Sequence, residues 1–198
     1  MLSFPSGYDL FQSIVGGRRA RVRFIREFVR PFPGARILDI GCGTGKILDY
    51  LPADIEYAGL DLNPRYIEHA GRKHGKRGKF FCTDVARLNE AIPRHVKFDI
   101  ILAVAILHHL NDDEVTGLFE ELYHFLDEAG KIVTLDCAYV PNQSWLSRFI
   151  ISKDRGQNVR TSEECRRLIS NGRLSVDSFI LDDLLAIPYD HCILQITK

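Results

Sequence analysis

The chain has 198 residues, 45% of them hydrophobic and 26% charged, with 26 basic and 26 acidic side chains and a formal net charge of zero. That size and balance fit one globular domain with a sizeable core, and exclude a global field able to hold nucleic acid or an anionic membrane. The five scattered cysteines contain no C-x-x-C, and no apolar run approaches the roughly 20 residues that span a bilayer, so the reading is a reduced, cytoplasmic protein without disulfide framework, zinc site or membrane span.

The first residues, MLSFPSGYDLFQS, lack a basic segment followed by an apolar core, so no signal peptide is expected. Residues 1–33 read as a helical arm, broken at Gly16-Gly17 and ended by Pro31 and Pro33, with Val22, Ile25, Phe28 and Val29 at helical spacing. The arginines Arg18, Arg19, Arg21 and Arg23 between them read as a solvated face. The stretch Ala35–Lys46 (ARILDIGCGTGK) follows, an apolar strand running into Gly41, Gly43 and Gly45. Glycine's tolerance of positive φ and its missing Cβ let such a turn bring bare backbone up to a nucleotide-like ligand. A short helix is expected over Gly45–Leu51, then a strand at Glu56–Asp61 and a helix to about His74 with Pro64 at its first position.

The basic segment Gly71–Lys79 reads as a surface loop, followed by a strand at Lys79–Thr83. A fourth strand, Phe98–Val104, is nearly all apolar, as suits a sheet covered on both faces. A helix over Asp113–Leu126, capped by Asn111 or Asp112, leads through a turn at Gly130 to a fifth strand, Lys131–Asp136. Residues 137–171 are irregular and read as an insert with two short helices, near Ser144–Ser152 and after a capping box of Thr161 and Glu164. Strands at Leu174–Leu181 and His191–Thr197 finish the chain, the last antiparallel. The whole predicts an α/β domain, a Rossmann-like doubly wound seven-stranded sheet, mainly parallel.

The glycine spacing separates possible ligands. A dinucleotide fingerprint would place its third glycine at position 46, where Lys46 stands. A P-loop would need a hydroxyl where Ile47 stands and a glycine at Ile40. Acidic Asp39 followed by G-x-G-x-G instead resembles motif I of the class I S-adenosylmethionine (SAM) methyltransferases. Asp61 ends the second strand and Asp84 follows the third, so three acids converge at the carboxyl edge of the sheet. The resemblance covers about Ala35–Asp136 and makes residues 1–198 a single methyltransferase domain with SAM as cofactor and S-adenosylhomocysteine as product.

Carried over by position, the resemblance puts Asp39, Gly41, Cys42, Gly43 and Gly45 in the turn, with Asp39 holding it near the methionine amino group. Asp61 falls at the ribose, Leu62 over an adenine face, Asp84 and Val85 at the adenine edge, and Ala103 beside the methionine end. His108 and His109, just beyond strand four, are candidate bases, one of them facing the acceptor on the ground that adjacent residues point apart. Asp136 is placed to orient it. No [DN]-P-P-[YF] loop, Pro-Cys nucleophile, carboxylate cluster near strand four or thiol cluster is present, which leaves a bacterial small-molecule branch acting on an oxygen or nitrogen nucleophile. Its acceptor chamber is expected from Tyr8, Phe11 and Gln12 of the arm and Tyr139, Trp145, Arg148, Arg155 and Arg160 of the insert. The run DRG-Q-x-V-R at Asp154–Arg160 also resembles a group of uncharacterised bacterial methyltransferases. An RNA or protein methyltransferase, with Gly71–Lys79 and the N-terminal arginines as its footprint, and a SAM-binding protein without turnover stay open. Oligomeric state is not legible.

Overall fold

Leu38 and Ile40 of the strand β1 (Arg36–Ile40) face one apolar cluster while Ile37 faces a second, so the strand is buried on both sides and must lie inside a covered sheet. The computed structural model describes residues 17–153, 156–169 and 172–198 and shows that sheet with seven strands. Besides β1 they are β2 (Glu56–Asp61), β3 (Lys79–Cys82), β4 (Phe98–Val104), β5 (Leu126–Cys137), β6 (Ser175–Leu181) and β7 (His191–Thr197). Their order is β3-β2-β1-β4-β5-β7-β6; β1 to β5 pair in parallel, and β7 runs antiparallel to both β5 and β6. The predicted fold class holds, antiparallel last strand included.

Helix α1 (Gly17–Phe24) continues as one π-helical turn, Ile25–Val29, whose Phe28 and Val29 bury against Ile37, Ile100 and Val133. Helix α2 (Pro64–His74) starts where expected, with the Asn63 side chain accepting from the Arg65 N–H at 3.0 Å. Helices α3 (Leu88–Ala91), α4 (Asp112–Phe125), α5 (Trp145–Ser152) and α6 (Ser162–Ile169) complete the described set. Val115, Leu118, Phe119, Leu122 and Phe125 of α4 all enter the larger core. Each aliphatic or aromatic side chain buried this way contributes about 1.5–3 kcal/mol.

Three expected elements differ. The helix after the glycines is only a 3-10 turn, Lys46–Asp49, begun by Gly45 at φ 71°. The first four residues of the basic segment are the last turn of α2, and Arg77 beyond it donates to the carbonyls of Leu48, Leu51 and Pro52, closing that 3-10 turn rather than facing a polyanion. Gly130 is no turn either. Leu126 leaves α4 directly as a strand and pairs with Phe98, and a register shift between Phe98 and Ile100 absorbs the extra residues. A Cβ on Gly130 would stand 2.9 Å from the Phe98 carbonyl, so this glycine lets β5 return against β4.

Chain direction decides where a ligand can sit. From β1 the chain moves outward through β2 and β3, and from β4 it moves the other way. The switch between β1 and β4 opens a crevice at their carboxyl ends. Gly41–Gly45 leaves β1 there, and residues 105–109 leave β4 beside it.

Candidate active site

The glycine turn is left-handed three times over, with φ 67° at Gly41, 56° at Gly43 and 71° at Gly45. A Cβ at Gly41 would lie 1.9 Å from Ile106 Cδ1, so Ile106 of the β4 exit closes directly over the turn. At Gly43 a Cβ would meet nothing within 4 Å, so the backbone there faces open space, as a ligand cradle requires. Asp61 grips the turn: its Oδ2 accepts from the Gly43 N–H at 2.9 Å and its Oδ1 from the Asn63 N–H at 2.8 Å. Each of those oxygens keeps a lone pair for a diol.

Asp39 does not hold the turn, contrary to the sequence reading. It is 3% exposed, and the Tyr57 hydroxyl donates to its Oδ2 at 2.5 Å. Register explains the exchange. Asp39 lies opposite Gly59, and that missing side chain makes room for the Tyr57 ring beside it; a Cβ on Gly59 would crowd both Cys42 Sγ and Tyr57 Cε1. Burial pushes the Asp39 carboxyl up to about 7, the Tyr57 hydrogen bond pulling the other way and the nearby Asp61 charge adding to the rise. Burial likewise pushes the Cys42 thiol up, which makes Cys42 a packing residue rather than a nucleophile.

The remaining cofactor-side positions are mixed. Leu62 is 69% exposed beside Asp61, an apolar surface at the crevice. Asp84 caps a 3-10 turn, Val85–Arg87, accepting from the Arg87 N–H at 2.9 Å and pairing with its guanidinium at 3.3 Å; Val85 packs half-buried on the core. Ala103 is fully buried in the sheet, so only its backbone is near the crevice. The exposed residue at that strand end is Ala105, at φ 57°, which the sequence did not single out because nothing marks an alanine for that conformation.

Past Ala105 a 3-10 turn, Leu107–His109, carries the histidine pair. His108 Nδ1 lies 2.7 Å from Asp136 Oδ1, and both residues are buried. That same oxygen accepts the His108 backbone N–H at 3.3 Å, which assigns it as acceptor and Nδ1 as the protonated nitrogen. Burial raises the Asp136 carboxyl while the His108 hydrogen bond lowers it, and its Oδ2 has no partner. His109 is exposed, and its ring centroid is 4.1 Å from that of His108. The two rings therefore touch, tilted 42° to each other, rather than pointing apart.

Of the residues read from the sequence as acceptor contacts, Tyr139 and Arg148 meet, the guanidinium 5.0 Å over the ring, and Trp145 on α5 is 78% exposed. Arg160 is not an acceptor contact. It is 8% exposed and its five donors are all taken, Nε and Nη2 by Asp112 Oδ1, Nη2 also by the Leu110 carbonyl, and Nη1 by the carbonyls of Leu107 and Asn158. Tyr8, Phe11, Gln12 and Arg155 lie outside the described residues. No group of three or more metal-ligating side chains occurs among the described residues. Tyr57, Ile106 and Asn158 are parts of this site that sequence reasoning missed, because strand register and loop packing bring them there.

Residues 37–130 match the family model described as a methyltransferase domain. A ubiquinone biosynthesis O-methyltransferase of Nitrobacter winogradskyi is 26% identical over 83% of this chain and 58% of its own length. A second, from Pelagibacter ubique, is 29% identical over 46% of the chain and 42% of its own length. The chain thus spans roughly half the length of these curated relatives. Among solved structures, a TehB-like SAM-dependent methyltransferase from Corynebacterium glutamicum superposes with a TM-score of 0.69 at 18% identity, covering 98% of this chain and 97% of that one. Residues 37–130 thus carry a methyltransferase domain, on a fold shared with a solved SAM-dependent methyltransferase.

Proposed function

We propose that the protein transfers the methyl group of SAM to a hydroxyl of a small-molecule acceptor, with His108 receiving the hydroxyl proton. The observation that carries this is the 2.7 Å bond from His108 Nδ1 to buried Asp136, beside a glycine turn that faces open space. A neutral amine attacks with its own lone pair, whereas a hydroxyl is a poor nucleophile until its proton is removed. SAM, when bound, supplies a methyl group made electrophilic by its sulfonium. Gly41–Gly45 and Asp61 hold the cofactor and Leu62 covers it, with Cys42 shaping the turn. Asp136 fixes the imidazole with its proton on Nδ1, leaving Nε2 as the basic nitrogen, the same division of roles as in other Asp–His pairs. In this reading Tyr139 and Arg148 meet the acceptor; Tyr8, Phe11 and Gln12, which the sequence also offered, lie outside the described residues. The two curated relatives named as O-methyltransferases support an oxygen nucleophile. Arg77 of the basic segment is engaged by three carbonyls within the fold, which does not favour an RNA acceptor.

The test is incubation with methyl-labelled SAM and a panel of phenols, catechols, aliphatic alcohols and amines, with mass spectrometry of labelled products. Labelling of a hydroxyl compound is expected. H108A should slow it by about 10²–10⁴-fold with S-adenosylhomocysteine affinity unchanged. Labelling confined to amines, or full turnover in H108A, ends the assignment.

A further inference from the structure

The described part of the run that stood out in the sequence, residues 156–160, lies across the histidine turn. Gly156 sits so close that a Cβ there would be 2.1 Å from His108 Cδ2 and 2.6 Å from the His108 carbonyl. The Asn158 N–H donates to that carbonyl at 3.0 Å. Arg160 then reaches the carbonyls on either side, Leu107 at 2.9 Å and Leu110 at 2.7 Å, and Asp112 at the start of α4. Its own backbone is tied to the end of β5 by a parallel bridge to Ala138 and by the Tyr139 N–H donating to the Arg160 carbonyl at 3.2 Å.

A three-residue 3-10 turn has poor hydrogen-bond geometry and little rigidity of its own. Here, however, the carbonyls of Leu107, His108 and Leu110 all accept from one crossing segment anchored on β5, the strand that also carries Asp136. The histidine turn and the carboxylate it meets are therefore referenced to the same strand.

We propose that Arg160 is a positioning residue: with Gly156 and Asn158 it straps the Leu107–His109 turn to β5, so that His108 stays in register with Asp136. The geometric part of this stands on the contacts alone. Its consequence for turnover rests on the reading of His108 as the base. Only a guanidinium supplies five donors in one plane, so lysine is no substitute.

The experiment uses R160M and R160K in the full chain. Calorimetry with S-adenosylhomocysteine reports the cofactor side, ring nitrogen NMR reports the His108 tautomer, and turnover is read on an acceptor found by the labelling panel. Wild type should show one Nδ1–H tautomer. Both variants should keep S-adenosylhomocysteine affinity, lose the single tautomer, and drop kcat more than the acceptor KM, by about a hundredfold, as an ångström-scale misplacement of a catalytic group does. Folded R160M with the wild-type tautomer overturns the proposal. Where R160M does not fold, G156A is read instead, since its methyl group must displace the His108 ring; an unchanged His108 spectrum overturns the proposal equally. The two readings fail separately. Full turnover in H108A beside a disturbed tautomer in R160M removes the base and keeps the strap; dead H108A beside an undisturbed R160M does the reverse.

Discussion

At the scale of single residues, Asp61 joins β2 to the glycine turn through the Gly43 amide and to the start of α2 through the Asn63 amide, and both bonds are made to a carboxylate. Such bonds are worth about 1.5–3 kcal/mol. D61A should therefore weaken S-adenosylhomocysteine binding by roughly ten- to a hundredfold in calorimetry while the circular dichroism spectrum stays native. Tyr57 makes a contrasting case. Y57F keeps the ring and removes only the hydroxyl that satisfies buried Asp39, so it should lower stability by about 1–3 kcal/mol in urea titration. An unchanged urea midpoint would mean that Asp39 finds another donor. Which acid holds the turn and which is held inside could not be read from the chain. Both follow apolar runs, and the difference lies in Gly59 opposite Asp39, a fact of register rather than of spacing.

Elements were legible where one face pattern and one punctuation mark agreed. β2, β4, β7 and α2 occupy the spans their apolar runs and the Asn63-Pro64 start predict. The junction of α4 and β5 was not legible, because Gly130 imitates a turn while β4 pairing claims Leu126 for the sheet. Arg160 was misread for a related reason: an arginine in an irregular insert looks like a ligand contact until its donors can be counted. The start of α4 was clear and is testable. Asn111 accepts from the Glu114 N–H at 3.0 Å and Glu114 answers the Asn111 N–H at 2.7 Å, a complete capping box. N111A should cost about 1 kcal/mol and lower Tm by roughly 2–4 °C, read by calorimetric scanning. Because Asp112 follows directly and holds Arg160, the same variant should also loosen the strap, which amide exchange at Asn158 would reveal.

For the whole molecule, two buried titratable groups pull stability in opposite directions over one pH range. Asp39 is raised from 3.8 to about 7, so between those values the folded protein holds a proton that the unfolded chain has released. Its contribution is complete at acid pH and is lost as pH rises through about 7. His191, buried in β7 with its Nδ1 unpartnered, is lowered from 6.5 to about 4 by desolvation. There the unfolded chain takes up the proton first, so its contribution is complete above 6.5 and is lost as pH falls through about 4. Each group acts with a slope of about 1.4 kcal/mol per pH unit at full effect, so across the shared window the two largely cancel. Urea unfolding free energies measured every half pH unit separate them. Relative to wild type, D39N should gain stability as pH rises over this range, and H191F should gain it as pH falls. Because Asp136 and every other group are common to all three proteins, they drop out of these differences. A D39N difference curve that is level from about pH 4 to 7 would mean that Asp39 titrates alike folded and unfolded, and that the buried pair with Tyr57 is not a proton-linked part of the cofactor site.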